Sequence, residues 1–91
     1  MNDKKAAILR QIGAKVAYYR TLRRMTQAEL ADKVHMSLSS IGRIERGTYN
    51  NGAPISTLID VADGLGVDLV SLVTFSEAEE KILKEVEKNL L

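Results

Sequence analysis

The sequence predicts an all-α domain of six helices, and three observations carry that prediction. Apolar residues recur at three- and four-residue spacing along the chain, the period of a helix with one buried face. Helix caps punctuate it: Thr26, Ser37, Asp68 and Ser76 stand at the head of segments, and Gly47 and Gly66 at the end of others. Residues 27–46, QAELADKVHMSLSSIGRIER, read as two short helices joined by a tight turn.

The first helix is expected over residues 3–24, where Leu9, Ile12, Val16 and Tyr19 form the apolar stripe. Asn2 or Asp3 suits its cap, and Arg23 and Arg24 suit the negative end of its dipole. The second begins after Thr26, with Glu29 three residues on in a capping box. The third is capped by Ser37 and ends at Gly47. Leu30, Ala31, Val34, Met36, Ile41 and Ile44 fall where two crossing helices touch, and Ala31 is small enough to let them approach. Residues 47–54, GTYNNGAP, form a loop. A fourth helix follows from about Ile55 to Leu65 with Leu58, Ala62 and Leu65 inward. Asp68 caps a fifth that runs through Val73 and contributes Leu69 and Leu72. Ser76 opens the last helix with a second capping box, SEAE. Its polar faces offer i,i+4 pairs such as Glu77–Lys81 and Glu80–Lys84.

Composition narrows the function classes. Ninety-one residues with 45% hydrophobic content make one folded domain. With no cysteine there is no disulfide and no thiolate metal site. One histidine, His35, gives no convincing nucleophile–His–acid set, and no carboxylates are paired at metal-ligand spacing, so no enzyme, metal or cofactor is expected. His35 reads as a turn residue. No apolar run reaches the roughly 18 residues of a membrane span, and a soluble cytoplasmic protein is expected. The net charge of +1 conceals a division. Residues 1–46 hold ten Lys and Arg against four acids, a balance of +6, and residues 47–91 hold three Lys against eight acids, −5. A basic half that carries a helix-turn-helix has the charge layout of a DNA binder. The outer face of the third helix adds to this: Ser39, Ser40, Gly42, Arg43 and Arg46 are small, polar or basic, as suits approach to base edges and phosphates.

The runs TQAELA and SIGRIERG at this spacing, with Ile12-Gly13, Val16, Arg20 and Leu65-Gly66-Val67, resemble the lambda-repressor-like, Cro/repressor-type (Xre) helix-turn-helix family over about residues 12–73. The resemblance implies a five-helix DNA-binding domain, here with an N-terminally extended first helix and an added C-terminal helix. The DNA-binding domain is expected over 1–73, with the helix-turn-helix at 27–46, followed by a C-terminal helix over 74–91 that is expected to be a dimerisation element. The resemblance implies double-stranded DNA as partner, with helix 37–46 in the major groove. Leu38, Ser39, Gly42 and Arg43 match base-facing positions, and the planar fork of Arg43 fits guanine O6 and N7. Gln27, Ser40, Arg46, Thr48, Tyr49 and Asn50 are expected near phosphates. For Tyr49, standing on a phosphate and shielding the loop are both open. Arg20 and Glu45 match an ion pair joining helices one and three. This chain departs from the family at two positions where glycine is usual, Arg24 and His35, both expected at φ > 0. Its loop after the third helix is long and has no Lys or Arg.

The last helix carries Ile82, Leu83, Val86, Leu90 and Leu91 on one side, a stripe that needs a partner. It can fold back on Ile8 and Leu9 or pair with the same helix of a second chain, and a two-fold interface built by this helix and the N-terminal turns together is expected. The function expected is a dimeric, sequence-specific DNA-binding regulator reading a pseudo-palindrome. The alternatives are an antitoxin or adaptor with a protein partner, or a controller protein of a restriction–modification system. No small-molecule ligand is evident.

Overall fold

The computed structural model describes residues 3–90, apart from the side chains of Glu77, Glu80 and Leu90. The expected pairs Glu77–Lys81 and Glu80–Lys84, and the placement of Asn2, Leu90 and Leu91 on their stripes or caps, lie outside the described residues. Among the described residues six helices follow one another: α1 (Asp3–Leu22), α2 (Gln27–Lys33), α3 (Leu38–Arg46), α4 (Ile55–Leu65), α5 (Leu69–Val73) and α6 (Glu77–Leu90). They pack into 30 × 26 × 24 Å with α1 at the centre, touching α3, α4, α5 and α6.

The caps explain where the elements begin. The Thr26 hydroxyl accepts from the Glu29 N–H at 3.0 Å and the Glu29 carboxylate accepts from the Thr26 N–H at 2.9 Å, the expected reciprocal box. Those same bonds hold the Glu29 carboxyl below its ordinary range. Ser37 caps α3 by accepting from the Ser40 N–H, and Gly47 closes it at φ 75°. Two expectations need correction. The first helix stops at Leu22, because Arg24 turns to φ 55° and no right-handed helix continues through that conformation. Asp68 stands at the cap position of α5 with extended backbone, but its side chain makes no capping bond.

The core collects Val16, Leu30, Ile41, Val61, Leu65 and Leu72, each at most 1% exposed. Full burial of such a side chain is worth roughly 1.5–3 kcal/mol. Ala62 and Leu65 of α4 and the contact residues of α2 and α3 lie in or against this cluster, and Leu58 is buried at 7% exposure. Gly13 lets α1 and α3 meet. A Cβ there would collide with the Ile44 and Glu45 carbonyl oxygens and stand 2.7 Å from the Glu45 carbonyl carbon.

The C-terminal helix folds back on α1. Leu83, expected at an interface between chains, is 2% exposed within this one, and Val86 is half-buried. Ile82 remains 47% exposed on the outer side. Lys15 fixes the attachment. Its ammonium is buried and donates to the Thr74 carbonyl at 3.0 Å and to Glu79 Oε2 at 2.9 Å, with the Tyr19 and Phe75 rings beside it. Glu79 also closes the Ser76 capping box, so one carboxylate both starts α6 and ties it down.

Candidate nucleic-acid interface

The α2–α3 pair is held from behind by one carboxylate. Glu45 lies on the inner face of α3 with its side chain fully buried. Its Oε2 accepts from Arg20 Nε at 2.7 Å, and its Oε1 from Arg20 Nη2 at 3.1 Å and Gln27 Nε2 at 2.9 Å. Arg20 Nη1 donates onward to the Met25 carbonyl at 2.8 Å. A buried charge is tolerated only when paired and hydrogen-bonded, and here three donors meet it. Three helices thus converge on one point, which fixes the angle of α3. The turn is made by His35 at φ 57°, with the Met36 N–H donating to the Ala31 carbonyl at 2.8 Å.

The outer face of α3 divides its expected residues. Leu38 is 54% exposed and Ser39 is exposed, so both are free to reach a groove. Gly42 is buried, because the guanidinium of Arg46 lies back across it; a Cβ there would stand 3.1 Å from Arg46 Nη1. Arg43 is half-buried, with its guanidinium carbon 5.6 Å from the centre of the Tyr49 ring. Its Nε is buried and has no hydrogen-bond partner. The Ser40 hydroxyl accepts from Ser37 at 2.8 Å and keeps its own proton to donate. Beyond α3, Thr48 is exposed and its N–H donates to the Arg43 carbonyl at 2.8 Å. Asn50 is exposed at φ 46°, a region asparagine tolerates. Tyr49 is half-buried and packs on the hydrophobic core. Gln27 is half-buried and one of its amide hydrogens is committed to Glu45.

Sequence reasoning assigned charge where the structure assigns architecture. Lys15 was counted among the basic residues of the N-terminal half, yet it is 2% exposed. Its place on the helix carried the signal: three residues after Ile12 and four before Tyr19, it shares their inward face. Arg23 serves α4, donating to the Leu65 carbonyl at 3.0 Å near that helix's negative end. The link between Gln27 and Glu45, and the ring beneath Arg43, had no sequence signal because both depend on how separate elements meet. Among the described residues no cluster of three or more His, Cys, Asp or Glu is placed to hold a metal ion. No helix among them is long and apolar enough to cross a membrane.

Comparison with known proteins agrees with this geometry. The model of the helix-turn-helix family matches residues 16–72, from the middle of α1 to α5. The immunity repressor protein of Bacillus phage phi105 is 36% identical over 74 residues, which cover 81% of this chain and 47% of that protein. The chain therefore matches just under half the length of that relative. The crystal structure of a hypothetical transcription factor, NHTF, from Neisseria superposes with a TM-score of 0.70 at 23% identity, covering 85% of this chain and 87% of the other. That likeness concerns the fold.

Proposed function

We infer the function from one premise: this chain belongs to the helix-turn-helix family, whose model spans residues 16–72. It is a DNA-binding transcriptional regulator, and α3 is the helix that enters the major groove. The observation that carries this reading is the two-sidedness of α3. Its inner face is locked to α1 and α2 through Glu45, while its outer face presents Leu38, Ser39 and the fork of Arg43 without any acid. A helix so held places donors and an apolar side chain at fixed positions, which is what base readout needs.

In this reading Arg43 takes guanine and Leu38 packs on a thymine methyl. Ser39 reaches a base edge and Gly42 lets the backbone come close once Arg46 swings to a phosphate. Ser40, Thr48, Asn50 and the remaining amide hydrogen of Gln27 supply further phosphate contacts. One helix reads few base pairs, so we infer a homodimer that reads two half-sites about one DNA turn apart. The outer side of α6, Ile82 and Val86, with Leu22 of α1 at 55% exposure beside it, is the contact surface we assign. The resemblance to a phage immunity repressor favours repression over activation.

The test is selection of binding sites from random-sequence DNA at near-physiological salt, with Arg43→Ala alongside. The expected result is an enriched pseudo-palindrome in which Arg43→Ala relaxes one position per half-site. Salt-sensitive binding with no enriched sequence overturns the reading and leaves α2–α3 as a scaffold.

A further inference from the structure

We propose that Tyr49 is the positioning residue for Arg43: its ring is the platform that sets which edge of the guanidinium meets DNA. This rests on the reading of α3 as the recognition helix. Three independent features bring the two side chains together. The guanidinium lies 5.6 Å from the ring centre, within the roughly 6 Å over which a cation is attracted to an aromatic face. The ring itself is anchored, because Tyr49 packs against the core and lines a small apolar cavity with Ile44, Gly47 and Leu58. The backbone sets the approach. Gly47 turns at φ 75° and the Thr48 N–H donates to the Arg43 carbonyl at 2.8 Å, which returns the chain beneath the arginine within six residues.

The consequence for recognition lies in the guanidinium's own geometry. Its Nε is buried without a partner, so the Nε–Nη edge is turned away from solvent. The edge left to present is the terminal one, Nη1 with Nη2. An arginine on an open helix surface samples many rotamers and loses that freedom on binding. An arginine already laid on a ring loses less, and it offers one fork instead of several. The platform therefore acts on selectivity at the base that Arg43 reads. A contact from the Tyr49 hydroxyl to a phosphate would act differently, strengthening every sequence alike. Tyr49 is the only aromatic residue in the loop from 47 to 54, and the loop has no Lys or Arg to take its place.

The experiment compares the full chain with Arg43→Ala, Tyr49→Phe and Tyr49→Leu by binding selection and sequencing, reading the preference at the position that Arg43→Ala relaxes. Tyr49→Phe is expected to keep that preference, since it keeps the ring. Tyr49→Leu is expected to reduce it about threefold to tenfold at that position, with the other positions and the salt dependence unchanged. Three results overturn the proposal: Tyr49→Leu keeps the preference, Tyr49→Phe loses as much as Tyr49→Leu, or Tyr49→Leu weakens all sequences alike. If the unaltered protein selects no position that Arg43→Ala relaxes, the DNA-reading premise fails instead. The platform is then tested in the unbound, unaltered protein by nuclear magnetic resonance, as it is if Tyr49→Leu does not fold. Arg43 Nε–H is expected to exchange slowly with water and to show close contacts with the Tyr49 ring protons. Exchange at the rate of free arginine, without those contacts, overturns the platform.

Discussion

At the scale of single residues, Glu45 decides most. Its carboxylate is fully enclosed and receives three hydrogen bonds from two other helices. Removing it strands the guanidinium of Arg20, which is 16% exposed, and takes the acceptor from Gln27. Glu45→Ala is expected to cost about 3–5 kcal/mol, the loss that follows when one member of a buried pair is removed. Urea unfolding measures it, and a loss under about 1 kcal/mol would mean that water replaces the carboxylate. His35 is the opposite case. It is exposed and held at φ 57°, where a side chain is strained. His35→Gly removes a cost of roughly 1–2 kcal/mol and adds roughly 0.5–1 of chain entropy. A net gain of about 0.5 kcal/mol in the same measurement is the expected outcome. The pairing of Arg20 with Glu45, and the positive φ at Arg24 and His35, were legible because the motif fixes their positions. The second partner of Glu45 was not legible. A glutamine at the head of α2 suits a phosphate as well as a carboxylate, and only the distance between α2 and α3 brings the Glu45 carboxylate within its reach.

At the scale of elements, α6 is attached to the rest mainly through α1. It meets α1 through Leu83 and through the buried Lys15, whose ammonium holds Glu79 at 2.9 Å. The hydrogen bond from Lys15 is the main reason the Glu79 carboxyl titrates below its ordinary range. Unfolding returns that group to about pH 4.3. A depressed carboxyl stabilises the folded state above that pH, and the contribution disappears as pH falls through the lower, folded value. Docking of α6 is therefore expected to be constant near neutrality and to weaken only below about pH 4.3. Hydrogen exchange resolves it: Glu79→Ala is expected to speed amide exchange in residues 77–90 at pH 7 while α2, α3 and α4 stay protected. Uniform loss of protection would show instead that α6 is inseparable from the fold. The six helices themselves were legible from caps and apolar spacing. The end of α1 was misplaced by two residues, because a basic pair continues the helical pattern while Arg24 leaves the helical backbone.

At the scale of the whole molecule, two sets of apolar side chains stay uncovered among the described residues, besides Ile8 near the start of α1 and Leu38 on α3. One is Ile82 with Leu22 in the α1–α6 groove; the other is Ile55, Ile59, Val70 and Val73 on α4 and α5, exposed by 40–66%. Isolated exposed apolar residues are ordinary, and these sets are the surfaces on which we expect a dimer contact. Ile82→Lys is expected to shift sedimentation at tens of micromolar toward the monomer. A dimer that survives Ile82→Lys and yields to Ile59→Lys would assign the contact to α4. The charge division between the halves was readable directly, since formal charge needs no coordinates. Its use was not, because Lys15 and Arg20 are consumed inside the fold by Glu79 and Glu45. By itself the sequence determined the helices, the turn between α2 and α3 and the face of α3 turned outward. Those follow from local periodicity and capping, which act over three or four residues. Only the tertiary structure decided that α6 folds back, that Lys15 is buried and that Tyr49 lies beneath Arg43. Each of these joins residues whose distance is set by how rigid helices cross, and no local pattern encodes that angle.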